Sequence, residues 1–258
     1  MADSDSESPT PPPTATATKE AVRTPRNAAS WAKKVERLTV ESREGQRGNN
    51  VEGRRLTGPV QGFGKMWQKT YSVDIGDAAT PQEVIATWKA HFPEFWPKGN
   101  RFSGALTGIN PGDVALLDLA VGGGVKLSTG VFVLYVDGES FTLMTPQGHM
   151  FAGWISFSAE LAGDRTQVQA QALMRANYPF SELGRTLGGH ANEHRFWAAT
   201  LRSLAARLGR PEAVVETRPV CLDSKRQWRR ISNTWHNSMV RSLIQTATAP
   251  FSGHRRAS

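Results

Sequence analysis

The sequence holds a single cysteine, Cys221. That excludes an internal disulfide and any metal site built on several thiolates, and a lone thiol in an apolar setting is more often inert than nucleophilic. Long apolar runs are missing as well. Nothing approaches the roughly 18 consecutive apolar residues of a membrane span, and no stretch near the start resembles the apolar core of a signal peptide. The expected location is the cytoplasm. No repeat with a period of about 20 to 50 residues is present, which argues against solenoids and propellers. The central stretch also lacks net charge. Residues 65–209 carry 12 Lys/Arg against 12 Asp/Glu, whereas residues 210–258 carry 9 against 3, so the formal net charge of +8 sits mostly at the C-terminal end. A basic face for nucleic acid on the folded part is therefore not expected.

Apolar residues make up 39% of the chain, enough for a core but a modest one. The opening "MADSDSESPTPPPTATATKE" is rich in Ser, Thr, Pro and acidic groups, a composition that cannot bury enough surface to offset the entropy of ordering. Residues 1–64 are expected to be a mostly disordered N-terminal arm.

From Lys65 the pattern changes. In "KMWQKTYSVDI" Trp67, Tyr71, Val73 and Ile75 alternate with Gln68, Thr70, Ser72 and Asp74, the period of a half-buried strand. Lys69 shares the parity of Trp67 and Tyr71, but as a lysine it is assigned to a place near the strand's end rather than to a pocket. "TPQEVIATWKAHFPEFWP" then places Thr80 as N-cap, Pro81 at the first helical position and Glu83 as capping-box partner. The stretches 113–120, 131–136, 140–145, "FAGWISFSAE" and "TQVQAQALMRAN" follow at short intervals, separated by Gly, Asp-Gly and Pro turn signals, and predict an antiparallel meander. "ANEHRFWAATLRSLAARLG" predicts a helix whose stripe is His194, Trp197, Leu201, Leu204 and Leu208. It needs an apolar surface, and Val168, Ala170, Ala172 and Met174 offer one whose small residues let a helix approach or leave space for a ligand.

This element order is that of a helix-grip arrangement. Over residues 65–209, more than half of the chain, the sequence resembles the START and polyketide-cyclase (SRPBCC) superfamily. "PEFWPKGNRF", "TLMTPQGHMFAGWISF" and "LGGHANEHRFWAATLRSLAARLG" are similar to bacterial members without an assigned activity. The resemblance implies an α+β fold, a curved antiparallel sheet wrapped around a long helix, with a deep pocket between them for sterols, lipids, polyketides or other apolar molecules. It also implies both binding proteins and enzymes as relatives, so fold alone does not decide activity. The leading expectation is a binder of a hydrophobic small molecule without identifiable catalysis. Expected pocket walls are Phe95, Trp96, Leu116, Phe151, Ile155, Phe157, Trp197 and Leu201, with His149, Arg175 and His194 as orienting polar groups. A cyclase or dehydratase-like enzyme using His149 or His194 as acid/base is the alternative.

His149 follows a turn, "TPQGHM", and by alternation faces the side of Phe151, Ile155 and Phe157. It either points into the pocket or only bonds local backbone at a hairpin corner. "HANEH" matches a zinc-protease string, but the downstream carboxylates are few, so no metal is expected, and no cofactor either. Residues 210–258 are expected to add a strand over "AVVETRPVCLD" and a basic amphipathic helix at about 224–247, with Trp228, Ile231, Trp235, Met239 and Leu243 in one stripe. That helix is expected to pack on its own domain or a second copy, with peripheral membrane contact as the alternative.

Overall fold

The structure, a computed structural model, describes residues 27–40, 48–104, 108–120, 126–184 and 189–238. An eight-stranded antiparallel sheet carries the fold, in the order β2-β3-β4-β5-β6-β7-β1-β8. The strands are β1 (Met66–Asp74), β2 (Arg101–Ser103), β3 (Val114–Ala120), β4 (Lys126–Val136), β5 (Ser140–Met144), β6 (Phe151–Ala162), β7 (Arg165–Ala176) and β8 (Val215–Asp223). Helices α1 (Pro81–His91), α2 (Pro179–Gly184) and α3 (His190–Arg207) complete the framework. This is a helix-grip fold: neighbours in the meander β3 to β7 are neighbours in sequence, and β1 closes onto β7 after the chain has travelled round the sheet.

Local chemistry accounts for most of these elements. Thr80 caps α1 with the Glu83 side chain bonded back to its N–H, a complete capping box, and Pro81 sits where no intrahelical donor is needed. In β7 the alternation is nearly perfect, with Thr166, Val168, Ala170 and Ala172 buried and the glutamines between them half-exposed. β8, which leaves most of its residues exposed, forms one sheet edge and contains Pro219. A proline suits an edge strand because it offers no N–H to a foreign strand.

The concave face holds the main core. Trp88, Phe92, Phe95, Phe141 and Phe157 are all buried there, with Phe141 stacked on Phe157 at a centroid distance of 4.7 Å and Trp88 edge-on to Phe157 at 4.9 Å. From α3 only the C-terminal half enters this core: Thr200, Leu201, Leu204 and Ala205 are buried, while residues 190–199 are less so. The helix thus enters the core at its C-terminal end, and its N-terminal half lies along β1, where Glu193, His190 and His194 meet Lys69, Trp67 and Tyr71.

The convex face has a second, smaller core, made by the N-terminal stretch. Leu38 and Val51 pack with Phe132 of β4, joined by Leu56, Leu116 and Leu134. Trp31 bridges to Tyr135 and Leu56 to Pro146. The stretch expected to be a disordered arm therefore lies on the sheet wherever it is described, and packing begins well before Lys65. Residues 1–26 and 41–47 lie outside the described residues.

After β8 the chain runs as a strap across the ends of β6 and β7. Its short 3-10 segment, Trp228–His236, stands in the place of the expected α-helix. Residues 239–247, with Met239 and Leu243, lie outside the described residues. The strap is tied by polar bonds. The Gln227 N–H donates to Phe63 O at 2.7 Å, the Asn233 side chain to Gln61 O at 2.8 Å, and the Ser238 N–H to Gly148 O at 3.0 Å.

Candidate functional site

A cavity of about 510 Å³ lies between the N-terminal half of α3 and the concave face of strands β3 to β7. The sheet contributes Leu117, Val131, Leu143, Phe151, Ile155 and Met174; α3 contributes Asn192, Glu193, Phe196 and Trp197. Trp96, from the turn after α1, stands edge-on to Phe196 and Trp197 and forms a side wall. Phe180 of α2 lines the cavity and is also exposed, so it marks the rim.

Trp96, His149, Phe151, Ile155 and Trp197, among the residues expected at the pocket, all line the cavity. The others do not. Phe95, Phe157 and Leu201 are buried in the aromatic core where the helix and sheet meet without a gap. Leu116 has the opposite parity from Leu117 and packs on the convex face with the N-terminal stretch. His194 is outside the cavity lining, its ring edge-on to Tyr71 at 5.7 Å. Burial first, and the nearby Lys69 charge second, lower its pKa.

Arg175 was expected at the rim and is instead buried on the convex side. Its guanidinium donates to Gly64 O at 2.6 Å and Lys225 O at 3.0 Å, and pairs with Asp223. It ties the N-terminal stretch and the strap to β7. Gly62 makes room for this arrangement: a Cβ there would come within 2.6 Å of the Arg175 Cβ.

His149 takes both of the places open to it. The ring is buried and lines the cavity, and Nδ1 accepts the Phe151 N–H at 3.0 Å. In the neutral ring, Nε2 then carries the hydrogen. Desolvation pushes its pKa down to about 4. The turn is held from outside by the strap. Gly148 has φ +94°, and a Cβ there would come within 2.2 Å of His236 O, so both the backbone conformation and the close approach call for glycine. The Asn177 side chain donates to His149 O at 2.9 Å from the end of β7.

The largest departure from expectation is Lys69. It is fully buried at mid-strand, and its Nζ donates to Glu193 Oε2 at 2.6 Å. Glu193 is itself 7% exposed at the side chain, and it lines the cavity. A charge pair so far from water is maintained only when each group has the other. Its partners are 124 residues apart, so neither strand nor helix pattern alone could reveal it. Glu193 being committed to Lys69, and His190 lying edge-on to Trp67 at 5.0 Å, the "HANEH" string is used in packing. Among the described residues no group of three or more His, Cys, Asp or Glu side chains is placed to hold a metal.

No family model matches the chain, and no curated protein matches it. Solved structures similar to it include protein Ms6760 from Mycobacterium smegmatis, 12% identical with a TM-score of 0.40, covering 55% of this chain and 90% of that one. The di-domain ARO/CYC StfQ from the steffimycin biosynthetic pathway is 10% identical with a TM-score of 0.43, covering 55% and 50%. A START superfamily protein from Mycobacterium smegmatis is 22% identical with a TM-score of 0.38, covering 57% and 98%. Likeness at this level says nothing about what the cavity holds.

Proposed function

We propose that the protein binds a neutral, largely apolar small molecule in the cavity between α3 and the sheet. One observation carries the reading: a cavity of about 510 Å³ whose walls are Leu, Val, Ile, Met, Phe and Trp side chains, with a few polar groups placed among them. That size and composition are those of small-molecule sites generally, roughly 300 to 1,000 Å³ and mostly apolar. The cyclase or dehydratase reading has less to rest on, since His194 is outside the cavity lining and His149 is held neutral with Nδ1 occupied by the Phe151 N–H. A cytoplasmic setting suits a chain whose one thiol is free and exposed. The test is a titration with the uncharged fluorophore N-phenyl-1-naphthylamine. One equivalent is expected to bind with a blue-shifted, enhanced emission; absence of saturable binding contradicts the reading.

A specific observation supports a second activity, docking of the strap on an anionic membrane surface. Its apolar residues do not pack inward: Trp228 is 66% exposed, Ile231 50% and Trp235 85%, although Trp228 keeps an edge contact with Phe63 at 5.3 Å. Lys225, Arg226, Arg229 and Arg230 flank them. Tryptophans with neighbouring cations suit the boundary between headgroups and acyl chains. No helix of the described residues is long and apolar enough to cross a membrane, so contact of this kind would be peripheral. Co-sedimentation with vesicles rich in phosphatidylglycerol is expected at low salt and is expected to weaken strongly at about 0.5 M salt. Trp228→Ala with Trp235→Ala is expected to abolish it, and binding unchanged in that variant rejects this activity.

A further inference from the structure

Among the polar groups of the cavity wall, one is a charged carboxylate that is only half satisfied. Glu193 Oε2 is taken by Lys69, but Glu193 Oε1 is buried without a hydrogen-bond partner. A carboxylate oxygen removed from water and left without a donor costs free energy that a donor can recover. We propose that Glu193 Oε1 accepts a hydrogen bond from a hydroxyl group of the bound molecule, and that the ligand class is a neutral apolar compound bearing a hydroxyl at one end. This rests on the cavity reading above and specifies it.

The sheet register gives that ligand a direction. Lys69 lies opposite Ala172, Ala172 opposite Ile155, and Ile155 opposite Leu143, so these four form one row across β1, β7, β6 and β5 on the concave face. Ile155 and Leu143 line the cavity, and the ion pair stands at the other end of their row. With strands about 4.8 Å apart, Ile155 is roughly 10 Å from Lys69 along it. Ala172 between them is fully buried and outside the cavity lining, so an apolar body over Ile155 and Leu143 approaches Glu193 along α3, beside Phe196 and Trp197.

Charge narrows the class further. The Lys69–Glu193 pair is neutral overall, and Lys69 is already committed, so a ligand carboxylate gains no free cation and meets the Glu193 charge. A hydroxyl gains an ionised acceptor, the stronger kind of hydrogen bond. Trp96 adds a donor to the same wall: its indole N–H is buried without a partner. It suits an acceptor oxygen and does not distinguish a hydroxyl from an ether. Ser181 lines the same cavity and can both donate and accept, so the preference for a hydroxyl rests on the charge of Glu193.

The experiment compares 1-hydroxypyrene, 1-methoxypyrene and 1-pyrenecarboxylate by fluorescence titration on the full chain. The methoxy compound keeps the oxygen and loses the donor. In the unsubstituted protein 1-hydroxypyrene is expected to bind roughly 10- to 100-fold more tightly than 1-methoxypyrene, and the carboxylate is expected to be the weakest. Glu193→Gln alone leaves Lys69 buried without its counter-ion and risks unfolding, so the control is the double variant Lys69→Met, Glu193→Leu, which removes both charges together. In it, 1-hydroxypyrene and 1-methoxypyrene are expected to bind with equal affinity, the preference for the hydroxyl having vanished. Equal binding of the hydroxy and methoxy probes to the unsubstituted protein overturns the proposal, as does a preference that survives in the double variant; both outcomes leave the apolar cavity standing. Failure of all three probes to bind overturns the proposal and the cavity reading together.

Discussion

A chain beginning at Lys65 is expected to be unfolded or aggregated. Removing residues 1–64 deletes Leu38, Val51 and Phe63, each no more than 2% exposed. At about 1.5 to 3 kcal/mol for each fully buried side chain, the loss is roughly 5 to 9 kcal/mol, comparable to the whole stability of an ordinary domain, about 5 to 15 kcal/mol. The deletion also bares Phe132 and Leu116 on the convex face and removes Phe63 O and Gly64 O, which accept from Gln227 and Arg175. Exposed sheet faces of that kind promote association. Circular dichroism during heating, beside the full-length protein, checks this; a Lys65-initiated chain with an unchanged melting temperature would show that the convex layer contributes little.

The second large effect is acid destabilisation through His149. In the folded protein its pKa is pushed down to about 4 by burial, against 6.5 for the free side chain. Above pH 6.5 neither state binds the proton, and stability is at its full value. Between 6.5 and 4 the unfolded chain binds a proton that the native ring refuses, so stability falls with pH across that window, by about 3 kcal/mol in all. Below about 4 the native ring also protonates, and this contribution stops changing. His149→Asn is the informative variant, because its side-chain oxygen can take the place of Nδ1 in accepting the Phe151 N–H while removing the titration. Urea midpoints at pH 7.5 and 4.5 are expected to differ by less in the variant than in the unsubstituted protein. Carboxylates whose pKa values are lowered by partners, such as Asp74 and Asp223, lose stability with falling pH in both proteins and cancel in the comparison. An identical pH dependence in the two proteins would mean that His149 is not held neutral.

These expectations arise from features of unequal visibility in the sequence. Strands β3 to β7 and helix α1 are written in local patterns, alternation in one case and "TPQE" in the other, and local chemistry is enough to form them. Tertiary partnership has no such pattern. Lys69 had the right parity for an inward position, but its burial makes sense only with Glu193 in place, and Glu193 read alone is an ordinary acid in a helix's first turn. Leu38, Val51 and Phe63 are spread along a stretch with neither helix nor strand periodicity, so a composition argument passed over them. The strap shows the converse. Its apolar stripe was legible, but a stripe reports amphipathicity without saying what covers it, and Trp235 faces outward.

Candidate site residues divide along the same line. Parity in β6 puts Phe151 and Ile155 on the concave face, where both line the cavity, yet it does not separate them from Phe157 on the same face. That distinction depends on how α3 lies over the sheet: Trp197 packs on Phe157, and the helix is fully buried only from Thr200 onward. The turn at Gly148-His149 likewise needed the strap, since Ser238 and His236 close over it from a stretch some 90 residues away. The sequence shows the corner; the C-terminal cover that buries it is a matter of tertiary structure.

The central claim is that the space under α3 holds an apolar molecule. Its most direct measurement is the N-phenyl-1-naphthylamine titration carried out side by side on the unsubstituted protein and on Ile155→Trp, which places an indole in the middle of the cavity from a rigid strand. Saturable binding of one equivalent to the unsubstituted protein, lost in the variant while its circular dichroism is unchanged, is the result expected. Binding that persists undiminished in a folded Ile155→Trp protein would place the probe elsewhere and contradict the claim.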